Sequence, residues 1–186
     1  KLMEKYKSEE KEMDNKKALK LAKKYINSKP MPSSLKKEFK KNNFGELLPT
    51  VYQRTADLIR ENENMSKAQM MHMKQILPCI AFYEALLRKE GSREKAMELY
   101  EKWCFKKKKK MAKIIPAAIK IPGLYKKTPN IMHKMLDSMF GEKAGFQYRE
   151  KEIPNGFAVD MLVCPYVVTC QRYGCPEIVQ FFCKSD

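Results

Sequence analysis

The spacing of hydrophobic and polar residues predicts helices along most of the chain. Apolar positions recur at helical intervals over residues 67–90, behind a serine and glutamine in capping-box spacing. Gly91 ends this segment, and Ser92 caps a second helix over about 93–105, so the two form an αα-hairpin. Pro78 predicts a kink in the longer helix, because it removes a backbone hydrogen bond. The other predicted helices cover about 3–28, 34–42, 47–60 and 129–140.

One β-hairpin is predicted near the C-terminal end of the sequence. Two alternating runs flank Asn155-Gly156, a dipeptide that favours a two-residue type I′ turn. Such a turn places Pro154 opposite Phe157, and Lys151 opposite Asp160. One face of the hairpin is expected to be apolar and to face the core. That face carries Tyr148, Phe157, Val159, Met161 and Val163.

Two short helices are predicted after the hairpin. Proline fits the first turn of a helix, so Pro165 opens a helix that runs to about Tyr173. Gly174 stops it in a left-handed conformation. Pro176 begins the second helix, which runs to about Cys183.

These elements predict an α+β protein, mostly helical, with a small antiparallel sheet near the C-terminus. A chain of 186 residues fits one domain. We expect residues 1–45 to be a basic helical extension and residues 66–186 to be the core. No apolar run approaches the roughly 20 residues that a membrane span needs, so we expect no membrane-spanning helix.

The net charge of +16 raises the possibility of a nucleic-acid partner. Residues 1–45 hold 14 lysines against 6 acidic residues, and Lys106–Lys110 add a basic block. A lysine-rich helical face is usually just solvated surface. Nucleic-acid binding is therefore the least favoured of the functions considered.

The six cysteines do not form the pattern of a disulfide-rich domain, which is shorter and denser in cysteine. They indicate a reduced, cytoplasmic protein. The last four follow one another at intervals of six, five and eight positions, which match no common zinc or iron–sulfur signature. Cys164 lies between a strand and a helix N-terminus, a position that suits a reactive thiol. Three roles remain open for these cysteines. Inert packing is the most favoured, a catalytic thiol comes next, and a metal cluster is the least favoured.

Acidic and basic residues of the same region supply further candidates for chemistry. Glu177 and Asp186 are candidate bases for the activation of water. Asp160 has a simpler explanation in cross-strand pairing with a lysine. Arg149 or Arg172 is suited to holding a carboxylate. The two histidines have no partner at metal-ligand spacing and are interpreted as ordinary surface or core residues.

Cys164-Pro165-Tyr166, then Gly174-Cys175-Pro176-Glu177, then Phe182-Cys183 and Asp186 resemble the L-2-amino-thiazoline-4-carboxylic acid hydrolase family. The resemblance covers about residues 66–186 and includes the αα-hairpin. The family pattern continues beyond Cys-x-x-Asp with further strand sequence, so we expect part of the family's sheet to be absent from this sequence, which ends at Asp186.

The resemblance implies a small bacterial enzyme of cysteine metabolism that opens the ring of an aminothiazoline acid with water. It would act on the carbon–nitrogen bond of a cyclic amidine-like substrate that bears a carboxylate, with a divalent metal left open and an oligomer possible. The residues expected to be catalytic are Cys164, Glu177, Cys183 and Asp186. Those expected to bind substrate are Arg149, Asp160, Tyr166 and Arg172. The alternative is a non-catalytic small-molecule sensor that uses the same pocket.

Overall fold

The computed structural model describes residues 13–27, 44–102, 138–153 and 158–183. The chain divides into two compact units, Lys1–Asn64 and Met65–Asp186. The prediction of one domain over residues 1–186 stays a prediction.

The described residues of the first unit form a pair of packed helices. Helix α1 spans Asn15–Asn27 and helix α2 spans Leu48–Glu61, preceded by a 3-10 turn over Gly45–Leu47. Residues at i, i+4, i+7 and i+8 of α1 are buried, the spacing of one helical face. The buried residues of α1 are Ala18, Ala22, Tyr25 and Ile26. The helix predicted from about 3 to 28 is confirmed over Asn15–Asn27, and the one predicted from 47 to 60 is confirmed as Leu48–Glu61.

The second unit is built around the longest helix of the described residues, α3, which spans Lys67–Glu90. Both hydrogen bonds of the Ser66–Gln69 capping box are present, and Gly91 ends the helix with a φ of +67°. Residues 93–102 form helix α4, with the Ser92 hydroxyl at its start. The predicted αα-hairpin is confirmed over these residues. Most of α3 between residues 72 and 86 is buried, so it forms the centre of this unit's core.

The β-hairpin pairs strand β1, Gln147–Lys151, with strand β2, Ala158–Val163. Lys151 pairs with Ala158 and Arg149 pairs with Asp160, so the predicted register is wrong by two residues. Counted along the sequence, the midpoint between the paired residues Lys151 and Ala158 is one position before the midpoint of Asn155-Gly156. Proline prefers the second position of a turn, and this preference competes with the Asn-Gly signal. Residues 154–157 themselves lie outside the described residues.

The expectation that one hairpin face would lie in the core is also wrong for the residues described. Met161 is 41% exposed, and Tyr148, Val159 and Val163 are only half-buried. The described residues supply a sheet of just two strands, and two strands have too little surface to enclose an apolar face.

The elements after the hairpin follow the prediction. Helix α5 spans Pro165–Arg172, and Gly174 adopts a left-handed φ of +68°. A 3-10 turn over Pro176–Val179 leads into helix α6, Gln180–Cys183. The α+β class is therefore confirmed. None of the helices in the described ranges has both the length and the apolar character that crossing a membrane requires.

Other predicted elements lie outside the described residues. They are the helix over 34–42, the basic block over 106–110 and, except for its last three residues, the helix over 129–140. Of those three, 138 and 139 are helical, and a 3-10 turn over Glu142–Ala144 then leads to the hairpin.

Candidate functional site

The start of α5 positions the first group of predicted site residues. Cys164 is the N-cap and Pro165 occupies the first turn, which places Tyr166 in that turn as well. Pro165 is buried against Gly145, where an added Cβ would lie 3.3 Å from the proline Cγ. Gly145 also has a φ of +88°. Glycine is required there for both reasons, and it lets the loop before β1 approach α5 closely.

The hydroxyl of Tyr166 meets a buried histidine from α3. His72 Nδ1 lies 3.2 Å from the Tyr166 hydroxyl, and His72 Nε2 lies 2.7 Å from the Met139 carbonyl oxygen. A carbonyl only accepts hydrogen bonds, so Nε2 carries a proton. The sequence indicated that His72 is isolated. In the structure it is 3% exposed and forms hydrogen bonds through both ring nitrogens.

Three thiols lie close enough to Tyr166 to act on it electrostatically. Burial, together with negative charge on Cys164, Cys79 and Cys183, raises the pKa of Tyr166 to about 12. Cys164 is half-buried, Cys79 is buried and Cys183 is exposed. We call His72, Tyr166 and these three cysteines the Tyr166 site.

The turn after α5 explains the two remaining described cysteines. Cys175 N–H donates to the Cys170 carbonyl at 2.9 Å, and Gly174 N–H donates to the Gln171 carbonyl at 3.0 Å. These are the two bonds of a Schellman motif, in which the residues at the Cys170 and Cys175 positions normally share a hydrophobic contact. Here a hydrogen bond between the two buried thiols replaces that contact and, with burial, raises the pKa of Cys170. Buried thiols of this kind suit packing better than chemistry.

Glu177 lies just beyond that turn, and α3 and α4 hold its side chain. The Tyr83 hydroxyl donates to Glu177 Oε1 at 2.6 Å, and Arg93 donates to the same oxygen at 3.0 Å. Arg93 also reaches the Gly174 carbonyl at 3.4 Å. Burial, followed by the hydrogen bond to Glu177, raises the pKa of Tyr83. We call Tyr83, Arg93 and Glu177 the Glu177 cluster.

The predicted substrate-binding residues of the hairpin pair with each other. Asp160 lies 2.8 Å from Lys151 Nζ and 3.3 Å from an Arg149 nitrogen. The hydrogen bond from Lys151 lowers the pKa of Asp160, and the one from Arg149 adds to the effect. Cross-strand pairing thus accounts for Asp160, as its pattern suggested. Arg172 is exposed at the end of α5 and lies 5.4 Å above the Tyr173 ring.

The structure therefore brings together three of the eight predicted site residues, namely Cys164, Tyr166 and Cys183. Glu177 belongs to the neighbouring Glu177 cluster, Arg149 and Asp160 pair on the hairpin, and Asp186 lies outside the described residues. Within the part of the chain that the structure describes, no three His, Cys, Asp or Glu side chains are grouped so that they could hold a metal ion.

Three polar residues of these clusters were not predicted from the sequence: His72, Tyr83 and Arg93. One signal was available for the first two. Positions 72, 76, 79 and 83 lie on a single face of α3, and that face is buried. A histidine and a tyrosine on an otherwise apolar buried face need polar partners. This requirement marks both residues as candidates for a functional site. No such indication was available in the sequence for Arg93, since it lies in the exposed first turn of α4.

Comparison with known protein families gives a match to this chain. The family model of L-2-amino-thiazoline-4-carboxylic acid hydrolase matches residues 67–186. No curated protein and no solved structure gives a significant match. The matched region begins at the first residue of α3, lies wholly within the second unit and includes both clusters described above. The chain belongs to the L-2-amino-thiazoline-4-carboxylic acid hydrolase family.

Proposed function

We propose that the chain is a hydrolase that opens the ring of a small, sulfur-containing cyclic amidine bearing a carboxylate, such as 2-aminothiazoline-4-carboxylate. The observation that carries this proposal is the family match over residues 67–186. The grouping of Cys164, Tyr166 and Cys183 supports it, because thiol and phenol groups can donate and accept protons beside a bound substrate.

The proposed reaction consumes one molecule of water. Its oxygen bonds to the ring carbon between sulfur and nitrogen, and the C=N double bond becomes a single bond as the nitrogen takes a proton. The carbon–sulfur bond then breaks, the sulfur leaves as a thiol, and the product is an N-carbamoyl cysteine. Nothing is oxidised or reduced, so no electron acceptor is needed.

Five of the eight predicted site residues have a proposed role in this step. Cys164 is the half-buried thiol beside Tyr166, and it serves as the proton donor to the leaving sulfur. The Tyr166 hydroxyl binds the polar part of the substrate. Glu177 or Asp186 activates the water, and Cys183 lines the same site. Backbone N–H groups at the start of α5 suit the substrate carboxylate.

The test is incubation of the full chain with L-2-aminothiazoline-4-carboxylate, followed by mass spectrometry for a product heavier by one water. We expect that product, and we expect Cys164→Ala to reduce kcat by about a hundredfold or more while the protein stays folded. Val168→Ala is the matched control, because its side chain is 52% exposed on the same helix. Binding without any product would favour the non-catalytic sensor instead.

A further inference from the structure

The hydrogen bonds of His72 fix which of its nitrogens can act on Tyr166. Nε2 bears a proton, because its partner is the Met139 carbonyl oxygen at 2.7 Å. In the neutral ring, Nδ1 then has the lone pair, and the Tyr166 hydroxyl donates its hydrogen to it across 3.2 Å. In many enzyme sites a backbone carbonyl sets the tautomer of a histidine in the same way.

Aromatic rings hold the imidazole in this orientation. Phe146 packs edge-on against His72 with 4.9 Å between ring centroids, and Phe140 lies 5.6 Å away. The tyrosine ring is held as well, with Phe182 at 5.0 Å and the imidazole itself at 5.7 Å. Neither ring can turn without displacing a packed neighbour, so the direction of the Tyr166 O–H bond is set.

We infer that His72 is a positioning residue: by accepting the hydrogen bond of the Tyr166 hydroxyl, it directs a lone pair of the phenol oxygen toward an N–H group of the substrate. This inference rests on the proposed function, and it specifies the substrate class further. A substrate with an amino or amidine N–H donor at this point is favoured, whereas one with an oxygen acceptor there meets a lone pair and is rejected.

The location of Tyr166 makes this hydrogen bond relevant to substrate. Tyr166 follows Cys164 by two positions, and Phe182, the neighbour of Cys183, packs against the Tyr166 ring with 5.0 Å between ring centroids. Cys164 and Cys183 are two of the predicted catalytic residues. His72 itself is 3% exposed and does not face solvent. It therefore acts through Tyr166 and does not touch the substrate.

The first test needs no activity. The chain contains two histidines, so nitrogen-15 labelling of histidine gives NMR spectra of two rings, and the His72→Asn variant shows which signals belong to residue 72. We expect the tautomer protonated at Nε2, and we expect Tyr166→Phe to move the Nδ1 resonance of His72 while His133 stays unchanged. A ring protonated at Nδ1, or an Nδ1 resonance that Tyr166→Phe does not move, would overturn the inference.

The second test separates positioning from packing by kinetics. In His72→Asn the amide oxygen can take the place of Nδ1, and in His72→Gln the amide nitrogen can take the place of Nε2. The glutamine variant keeps the bond to the Met139 carbonyl but loses the acceptor for Tyr166. We expect His72→Gln to raise KM roughly tenfold, with His72→Asn closer to the wild type. In a Tyr166→Phe background the two variants should have equal KM values.

The outcomes distinguish this inference from the proposed function. If the wild type turns over but the asparagine and glutamine variants have the same KM, positioning by His72 is wrong and the proposed function stands. If the wild type has no turnover, the proposed function fails, and the NMR experiment alone decides whether His72 holds the Tyr166 hydroxyl.

Discussion

Among single residues, Glu177 has two explanations that lead to different experiments. Its Oε1 atom accepts hydrogen bonds from Tyr83 and Arg93, and its side chain is 22% exposed. A carboxylate held this way stabilises the turn after α5 by joining it to α3 and α4. The same carboxylate is a candidate base for water activation. Stability and turnover measured on the same variants distinguish the two roles.

Glu177→Gln should lower the free energy of unfolding by about 1–2 kcal/mol. Amide and carboxylate have the same shape, but the amide loses the charge that strengthens the bonds from Arg93 and Tyr83, and partial exposure weakens the effect. Urea denaturation measures the change. Glu152→Gln is the control, because Glu152 is exposed and its substitution should stay within about 0.5 kcal/mol.

A double-mutant cycle with Tyr83→Phe extends this experiment. If the two side chains stabilise the turn together, their coupling energy should be about 1 kcal/mol. A coupling near zero would contradict the structural role, and loss of turnover with unchanged stability would then favour the role of base.

Tyr166 should make stability depend on alkaline pH. Its pKa is raised to about 12 in the fold, against about 10 in an unfolded chain. The folded state therefore favours the protonated phenol, and this contribution is fully present below pH 10 and lost as the pH rises toward 12. We expect the urea midpoint of the wild type to fall more steeply over this window than that of Tyr166→Phe.

Tyr148→Phe serves as the comparison for the alkaline series, since its side chain is half-buried on the hairpin. Its curve should follow the wild type. If Tyr166→Phe also followed the wild type, then burial and the nearby thiols would not hold the phenol in its protonated form, and its part in the Tyr166 site would need revision.

At the scale of elements, helix ends were predictable because local chemistry sets them. Ser66 with Gln69 begins α3, Gly91 ends it, and Gly174 ends α5. The hairpin register was not predictable from local chemistry, because Pro154 and Asn155-Gly156 favour different turn centres. Only the packing of the whole hairpin determines which of the two is adopted. Each local signal was valid by itself, but the two could not both be satisfied.

The left-handed turn at Gly174 gives a prediction for this scale. Gly174→Ala should cost about 1 kcal/mol or more, because alanine at a φ of +68° brings its Cβ against the backbone. The loss does not come from a clash with other parts of the fold, since an added Cβ at Gly174 meets no atom beyond its own chain neighbours within 4 Å. Thermal or urea unfolding measures the loss.

Gly45→Ala is a matched control for that loss. An added Cβ at Gly45 also meets nothing within 4 Å, and its φ is not positive. We expect a change within about 0.5 kcal/mol, or a small gain. Equal effects at the two glycines would contradict the account of the turn that supports Glu177.

At the scale of the whole molecule, the site was harder to predict than the fold. Cys164 and Tyr166 were identified because they are neighbours in a local motif. The hydrogen bond between Tyr166 and His72 and the one between Tyr83 and Glu177 each join residues 94 positions apart. Sequence periodicity indicates that α3 has a buried face, but it does not indicate which later element supplies the polar partner. Their roles in catalysis stay predictions.

The division of the chain into two units gives the last prediction. The second unit, Met65–Asp186, contains the whole family match and a core centred on α3. Its buried residues from α3, α4 and α5 are enough for us to expect residues 65–186 to fold alone, with cooperative urea unfolding and the same kcat as the full chain. A fragment that is soluble but unfolds without cooperativity would favour the single domain over 1–186 instead, in which the basic N-terminal residues are needed to complete the fold.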